Sequence, residues 1–270
     1  MAIVHADPAT GPGRVAIAIF AKAPVPGLAK TRLIPALGAA GAARLQRRLT
    51  LRTLRTARTA KLGEVLLWCA PDTRHRFFRA LGRATGVARF TQADGDLGKR
   101  MHKAFEHHCA SGPLLLIGTD CPSLEARHLR QAARELRAGA DAVFIPATDG
   151  GYILVGLRRP WQVLFTDMAW STPTVMSVTR DRARAAGLRV RELAPLPDLD
   201  LPADLERLSS TEAAALGLAQ GARSVIERAA AARTLPGRAA EAVLGHPDRP
   251  PLESGRIDLG DVQAGSRGRM

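Results

Sequence analysis

Short, nearly unbroken apolar runs alternate along this chain with longer stretches in which apolar residues recur every three or four positions. The runs are Val15 to Ala21, Val65 to Cys69, Leu114 to Gly118 and Ala142 to Ile145. Continuous apolar stretches this short are the mark of strands buried on both faces. Helical spacing fills the intervals Ala39 to Lys61, Arg74 to Leu81, Leu97 to Cys109 and Glu125 to Ala138. Strand and helix in turn predict an α/β fold: a doubly wound, mostly parallel sheet, with right-handed crossovers placing helices on both faces. Beyond Ala147 the rhythm changes. Thr148-Asp149-Gly150-Gly151-Tyr152 reads as a turn, and Ile153 to Leu157 as a returning strand, which adds an antiparallel edge. Trp170-Ser171-Thr172-Pro173 predicts an N-cap and a helix to about Ala186, and Leu188 to Leu193 a last strand. Thr211 to Thr234 is Ala-rich with helical spacing, while the segment after it is rich in Gly, Pro, Arg and Asp without apolar periodicity. The expected organisation is one α/β domain over 14–208, a helical extension over 209–234 and a flexible or disordered tail over 235–270.

Composition narrows the function classes. The chain has 270 residues and a formal charge of +14, yet its only lysines are Lys22, Lys30, Lys61, Lys99 and Lys103. The other basic residues are arginines scattered over the whole length among alanines, a bias unlike a binding stripe. Aromatic residues make up 4%, too few for base-stacking platforms, so no nucleic-acid partner is expected and small anionic substrates suit the charge. Cys69, Cys109 and Cys121 are odd in number and widely spaced, which supports neither a disulfide framework nor a zinc ribbon. The first residues lack the pattern of a signal peptide, and no apolar stretch approaches the roughly 20 residues that span a bilayer. A cytoplasmic protein with no membrane partner is the expectation.

In an open α/β sheet, ligands lie beyond the carboxyl ends of the strands, so the residues after each run carry the chemistry. The first run leads into Lys22-Ala23-Pro24-Val25-Pro26-Gly27-Leu28-Ala29-Lys30-Thr31-Arg32-Leu33. Cations, a hydroxyl and a Pro-Gly backbone at a strand end suit a phosphate, which makes Lys22, Gly27, Lys30, Thr31 and Arg32 candidates for holding one. The spacing is neither the Walker pattern nor the dinucleotide Gly-x-Gly-x-x-Gly. The third run ends at Thr119-Asp120-Cys121-Pro122-Ser123, where Asp120 fits either a hard ligand for Mg²⁺ or Mn²⁺ or a helix cap. Asp198, Asp200 and Asp204, after the last strand, fit either the same metal or turn and cap chemistry. Asp149, Gly150 and Gly151 permit close approach of a ligand and also suit a plain hairpin. Asp96, ahead of Leu97-Gly98-Lys99-Arg100-Met101, is a helix cap or a nucleotide contact. The histidines show no metal spacing, and no Gly-x-Ser-x-Gly elbow is present.

Taken together, Lys-Ala-Pro-Val-Pro-Gly-x-x-Lys-Thr-Arg-Leu at 22–33, Gly-Asp-Leu-Gly-x-Arg-Met at 95–101, Gly-Thr-Asp-Cys-Pro-Ser-Leu at 118–124, Asp-Gly-Gly-Tyr at 149–152 and Trp-Ser-Thr at 170–172 form a distinctive set. The chain resembles the bacterial radical-SAM/selenodomain-associated, or arsenosugar-biosynthesis, glycosyltransferases over about residues 15–208. The resemblance implies a GT-A, nucleotide-diphospho-sugar transferase fold, related to guanylyltransferases acting on phospholactate, phosphoenolpyruvate and molybdopterin. It implies that Lys22, Lys30 and Arg32 bind phosphate, that Asp120 with Asp198 and Asp200 holds a metal, and that Thr148, Gly150, Gly151, Tyr152 and Ser171 face the acceptor. The function expected is metal-dependent transfer of a sugar from a nucleotide sugar to a small acceptor, with Lys22 on the departing diphosphate and Asp149 as the proton acceptor. Two alternatives share the parts: a nucleotidyltransferase that uses a nucleoside triphosphate and releases pyrophosphate, and a non-catalytic nucleotide-binding module.

Overall fold

The computed structural model describes residues 13–218. Seven strands form one sheet: β1 (Ala16–Lys22), β2 (Val65–Ala70), β3 (Ala88–Thr91), β4 (Leu114–Ile117), β5 (Ala142–Pro146), β6 (Tyr152–Leu157) and β7 (Val190–Glu192). Their spatial order is β3-β2-β1-β4-β6-β5-β7. Every pairing is parallel except those of β6, which runs antiparallel to both β4 and β5. The returning strand of the hairpin is thus present, and it lies between β4 and β5, inside the sheet.

Seven α-helices accompany the strands among the described residues: α1 (Ile34–Ala60), α2 (Arg76–Thr85), α3 (Leu97–His108), α4 (Ala126–Arg137), α5 (Val175–Ala185) and the short α6 (Pro202–Glu206) and α7 (Ser210–Ala215). Alternate residues of the strands feed two cores. Ile17, Ile19, Leu67, Leu115, Ile117, Val143 and Ile145 pack with Leu54 of α1, Phe78 of α2 and Leu129 of α4. Ala18, Leu66, Trp68, Leu114, Leu116 and Phe144 pack with Met101 and Phe105 of α3 and Met176 of α5. The period of two in a strand sends neighbours to opposite faces, which is why both parities of the central strands are apolar. A third cluster, Leu33, Leu45, Leu49, Leu199, Leu205 and Leu216, joins α6 and α7 to the start of α1.

Three local expectations are corrected. Strand β3 was not visible as an apolar run, because Ala88-Arg89-Phe90-Thr91 is a four-residue edge strand with alternating burial. Helix α1 begins at Ile34 and is broken at Gly38, whose φ of 68° a side-chain-bearing residue adopts only at a cost. Helix α5 starts at Val175, with Thr174 at the N-cap position but without a capping hydrogen bond from its side chain, and Ser171 instead turns the chain with φ 63°. Of the Ala-rich stretch from Thr211, only α7 and its exit are described; the rest of it and the segment 235–270 lie outside the described residues. No helix among the described residues is long and apolar enough to cross a membrane.

Candidate functional site

At the carboxyl end of β1 the chain enters the loop whose Lys30 has a left-handed backbone (φ 49°, ψ 47°) ahead of the 3-10 turn Thr31–Leu33. A lysine there costs about 1–2 kcal/mol relative to ordinary helical backbone, so its side chain must be held by something. That side chain is only 3% exposed, and Nζ lies 2.8 Å from Asp120 Oδ1 and 3.6 Å from Asp200 Oδ1. It donates a third contact, 2.6 Å, to the Leu199 carbonyl. Arg32 Nη1 donates to the other oxygen of Asp200 at 2.7 Å. Leu199 N in turn donates to the Asp120 carbonyl at 2.8 Å. The phosphate-type loop, the end of β4 and the late acidic segment therefore meet at a single ammonium group.

Asp120 has a second support. Gln46 Nε2, buried on α1, donates to Thr119 Oγ1 at 3.1 Å, and Thr119 Oγ1 donates to Asp120 Oδ1 at 3.2 Å. The buried amide and hydroxyl satisfy one another and fix the carboxylate's position. The signal for Gln46 was a polar residue on the apolar stripe of α1.

These residues line one wall of a cavity of about 620 Å³ at the carboxyl ends of β1 and β4. Lys22, Thr31 and Arg32 line the same cavity, as do Asp149, Gly151, Tyr152 and Ser171. Lys22 is exposed and, among the described residues, has no ion pair, so its charge faces solvent. Asp149 Oδ1 accepts from the Gly151 N–H at 3.0 Å, closing the turn after β5. Asp198, also on the wall, is half-buried; burial first, then the Asp149 carboxylate, push its carboxyl above the ordinary range. Gln92, Arg100, Trp170 and Thr172 also line it; Arg100, Trp170 and Thr172 belong to the motifs quoted from the sequence, whereas Gln92 was not singled out there. Gln92 follows β3, the strand the apolar runs did not reveal.

Other candidates stand elsewhere. Asp96 is the N-cap of α3, its carboxylate accepting from Lys99 N at 2.8 Å, and it does not line the cavity. Neither Gly27 nor Thr148 lines it. Gly150, with φ 94°, serves the protein's own packing: a Cβ there would stand 2.2 Å from the Pro173 carbonyl oxygen. Gly151 has only its neighbour Asp149 within that reach and opens onto the cavity. The Tyr152 hydroxyl is engaged with Thr179 Oγ1. Cys121 Sγ lies 3.3 Å from Ser123 Oγ, and burial raises its thiol above the ordinary range, the reverse of an activated nucleophile.

Among the described residues no three His, Cys, Asp or Glu side chains converge as a ready metal site. The donor set nevertheless suits a hard cation: Asp120 and Asp200 already share one positive group, and Asp198 is crowded by other carboxylates.

A family model described as "Uncharacterized protein conserved in bacteria (DUF2064)" matches residues 53–172. No curated protein matches the chain. Among solved structures, one described as a nucleotide-diphospho-sugar transferase from Desulfovibrio desulfuricans G20 is 24% identical, covers 79% of this chain and 97% of its own, and superposes with a TM-score of 0.69. CMP:2-keto-3-deoxy-manno-octonic acid synthetase complexed with CTP is 18% identical over 72% of this chain and 96% of its own, with a TM-score of 0.47. The inositol-1-phosphate CTP transferase from T. maritima is 12% identical over 78% and 98%, with a TM-score of 0.48. The fold assignment rests on the first: the chain has the nucleotide-diphospho-sugar transferase fold.

Proposed function

We propose that this chain is a Mg²⁺- or Mn²⁺-dependent transferase that moves a sugar from a nucleotide-diphospho-sugar to a small acceptor and releases the nucleoside diphosphate. The observation that carries this reading is the convergence, on one cavity, of the 22–32 cations, the carboxylates Asp120, Asp198 and Asp200, and the Asp149–Tyr152 turn. Its fold supports a nucleotide-dependent transferase, and the motifs by which the sequence resembles the arsenosugar-type glycosyltransferases favour sugar transfer.

Charge develops on the departing diphosphate as the sugar C1 to oxygen bond breaks. Lys22 and Arg32, which line the cavity, would bind that diphosphate and stabilise it most as the bond opens, with Thr31 donating a hydrogen bond. Asp120 and Asp200, with Asp198, would hold the divalent ion, which supplies electrostatic stabilisation of the phosphate oxygens when bound. An acceptor hydroxyl must lose a proton as it attacks, and Asp149, which lines the same cavity, would take it. Gly151, with no side chain, leaves room for the acceptor beside that carboxylate.

A second reading uses the same parts for nucleotidyl transfer, in which an ionised phosphate acceptor attacks the α-phosphorus of a triphosphate and pyrophosphate leaves. It is favoured by one observation: Asp149 Oδ1 is already occupied in closing its turn, and an ionised acceptor needs no base.

The two are separated by the leaving group. With Mn²⁺ and a panel of nucleotide sugars, the sugar transfer reading expects slow release of nucleoside diphosphate, lowered about 10²–10⁴-fold in Asp149→Asn. Pyrophosphate release from a triphosphate, dependent on a phosphorylated small acid and unaltered in Asp149→Asn, would establish the second reading in its place.

A further inference from the structure

Among the described residues Lys30 is the only charged side chain that is buried. Its ammonium has three oxygen neighbours from two distant segments: Leu199 O at 2.6 Å, Asp120 Oδ1 at 2.8 Å and Asp200 Oδ1 at 3.6 Å. The ammonium donates to the Leu199 carbonyl, Asp120 Oδ1 is within hydrogen-bonding distance, and Asp200 Oδ1 at 3.6 Å is a charge contact. The carboxylates it touches are the ones that the reading above gives to the divalent ion. A hard cation on carboxylates sits about 2.0–2.6 Å from their oxygens, within a few ångströms of where Nζ now lies. Two positive centres at that separation repel strongly wherever water is largely excluded.

We propose that Lys30 is a built-in occupant of the divalent-cation position, an ammonium that holds Asp120, Leu199 and Asp200 together and keeps the metal ion out until a nucleotide's phosphate draws it away. This inference rests on the proposed metal-dependent reading. The surroundings of Lys30 fit such an exchange. Lys22, Thr31 and Arg32 line the same cavity as Lys30, and Thr31 and Arg32 follow it directly in the chain, so a phosphate bound by them arrives beside Lys30. The lysine stem is long and unbranched and can turn its ammonium from carboxylate oxygens to phosphate oxygens without unfolding the loop. Arg32 touches Asp200 through Nη1 alone, so that nitrogen keeps the segment in place while its other N–H donors serve the phosphate. The phosphate thereby satisfies the ammonium as the divalent ion satisfies the carboxylates, so nucleotide and metal enter as a coupled pair.

Mn²⁺ binding to the full chain, followed by electron paramagnetic resonance of the free ion, tests this without any turnover. Lys30→Met, which keeps the stem and removes the charge, is expected to bind Mn²⁺ alone about 10-fold more tightly than the parent or better, the scale on which neighbours of a metal's ligands alter its affinity. Lys30→Arg, which keeps the charge, is expected to bind it as weakly as the parent. UMP, CMP, GMP and AMP, added singly, should include at least one that tightens Mn²⁺ binding by the parent while leaving Lys30→Met unchanged. Should Lys30→Met not fold alone, Mn²⁺ is expected to restore its folded circular dichroism at concentrations that leave the parent's melting temperature unmoved; failure to restore it overturns the proposal. Equal, saturable binding by parent and Lys30→Met overturns the competition and leaves the metal site standing. Absence of binding by both folded proteins overturns the metal site and the competition with it. A parent indifferent to all four monophosphates overturns the exchange.

Discussion

His108 ends helix α3 with Nε2 buried and, among the described residues, without a hydrogen-bond partner. Its ring meets that of Trp68 edge-on, centroids 5.9 Å apart, and Phe90 likewise at 5.4 Å. Burial, with a smaller contribution from His107, pushes its pKa from 6.5 down to about 4. The folded state therefore holds the neutral ring, and the sign follows. Stability from this residue is complete above the unfolded value of 6.5 and is lost as pH falls from there through about 4. Allowing for solvent screening of a half-exposed ring, the loss is about 1–2 kcal/mol. Thermal melts between pH 7 and 4 are expected to show an acid limb that flattens in His108→Phe, which keeps the edge-on contact and cannot take a proton. An unchanged limb would place the acid sensitivity in other groups. At the same scale, burial pushes Cys69 and Cys109 up to about 12, so these thiols remain protonated and pack as small apolar groups.

Helix α3 shows how a motif can serve an element. In Gly95-Asp96-Leu97-Gly98 the carboxylate caps the helix, and Gly98 makes room for its neighbours, since a Cβ there would stand 2.5 Å from the Phe165 carbonyl oxygen and 2.6 Å from the Trp170 ring. Trp170 lines the cavity, so the glycine acts on the site through the packing of that indole. Asp96→Ala is expected to cost about 0.5–2 kcal/mol of stability through loss of the cap. Nucleotide affinity by titration should stay at the parent's value, because the side chain is outside the cavity; a marked loss of affinity with an unchanged melting temperature would make Asp96 a ligand contact. The expectation of a cap or a nucleotide contact at this position was undecidable locally, because Asp before an apolar-periodic stretch looks the same in both roles. Edge strand β3 was missed for a related reason. Its burial alternates over four residues, while β2 beside it reads as a continuous apolar run.

At the scale of the whole molecule, several arginines among the described residues are clasps between elements. Arg58 of α1 donates to the Thr85 carbonyl at the end of α2, Arg130 of α4 to Thr59 and Ala60, and Arg52 to Pro122. Arg48 reaches the carbonyls of Leu216 and Gly217, which close the end of α7. A guanidinium engaged this way contributes its charge to the surface field but is held against the protein's own carbonyls and is not aligned with others along a phosphate track. Duplex DNA is therefore expected to bind weakly at low salt and to dissociate near physiological ionic strength, as fluorescence anisotropy would show; the steep loss follows from counterion release. Saturable binding that survives such salt would reveal a phosphate-tracking surface on the arginine-rich helices.

What the sequence determined by itself is local. Apolar runs of strand length, helical spacing between them and the polar residues after each strand are set by neighbours in the chain, so the α/β class and the candidates Lys22, Lys30, Arg32, Asp120, Asp149, Asp198 and Asp200 were legible there. What only the tertiary structure decided is who meets whom. Lys30 and Leu199 are 169 positions apart, and Gln46 and Thr119 are 73 apart. No periodicity reports such pairs, because they arise from the order in which strands join the sheet and from burial of the leucine cluster that carries the late acidic segment onto the start of α1. The same holds for Gly150 and Gly98, whose missing side chains are required by Pro173 and Trp170. Side-chain chemistry is written residue by residue, but a buried cation acquires its partners only when packing excludes water and brings distant oxygens within hydrogen-bonding reach.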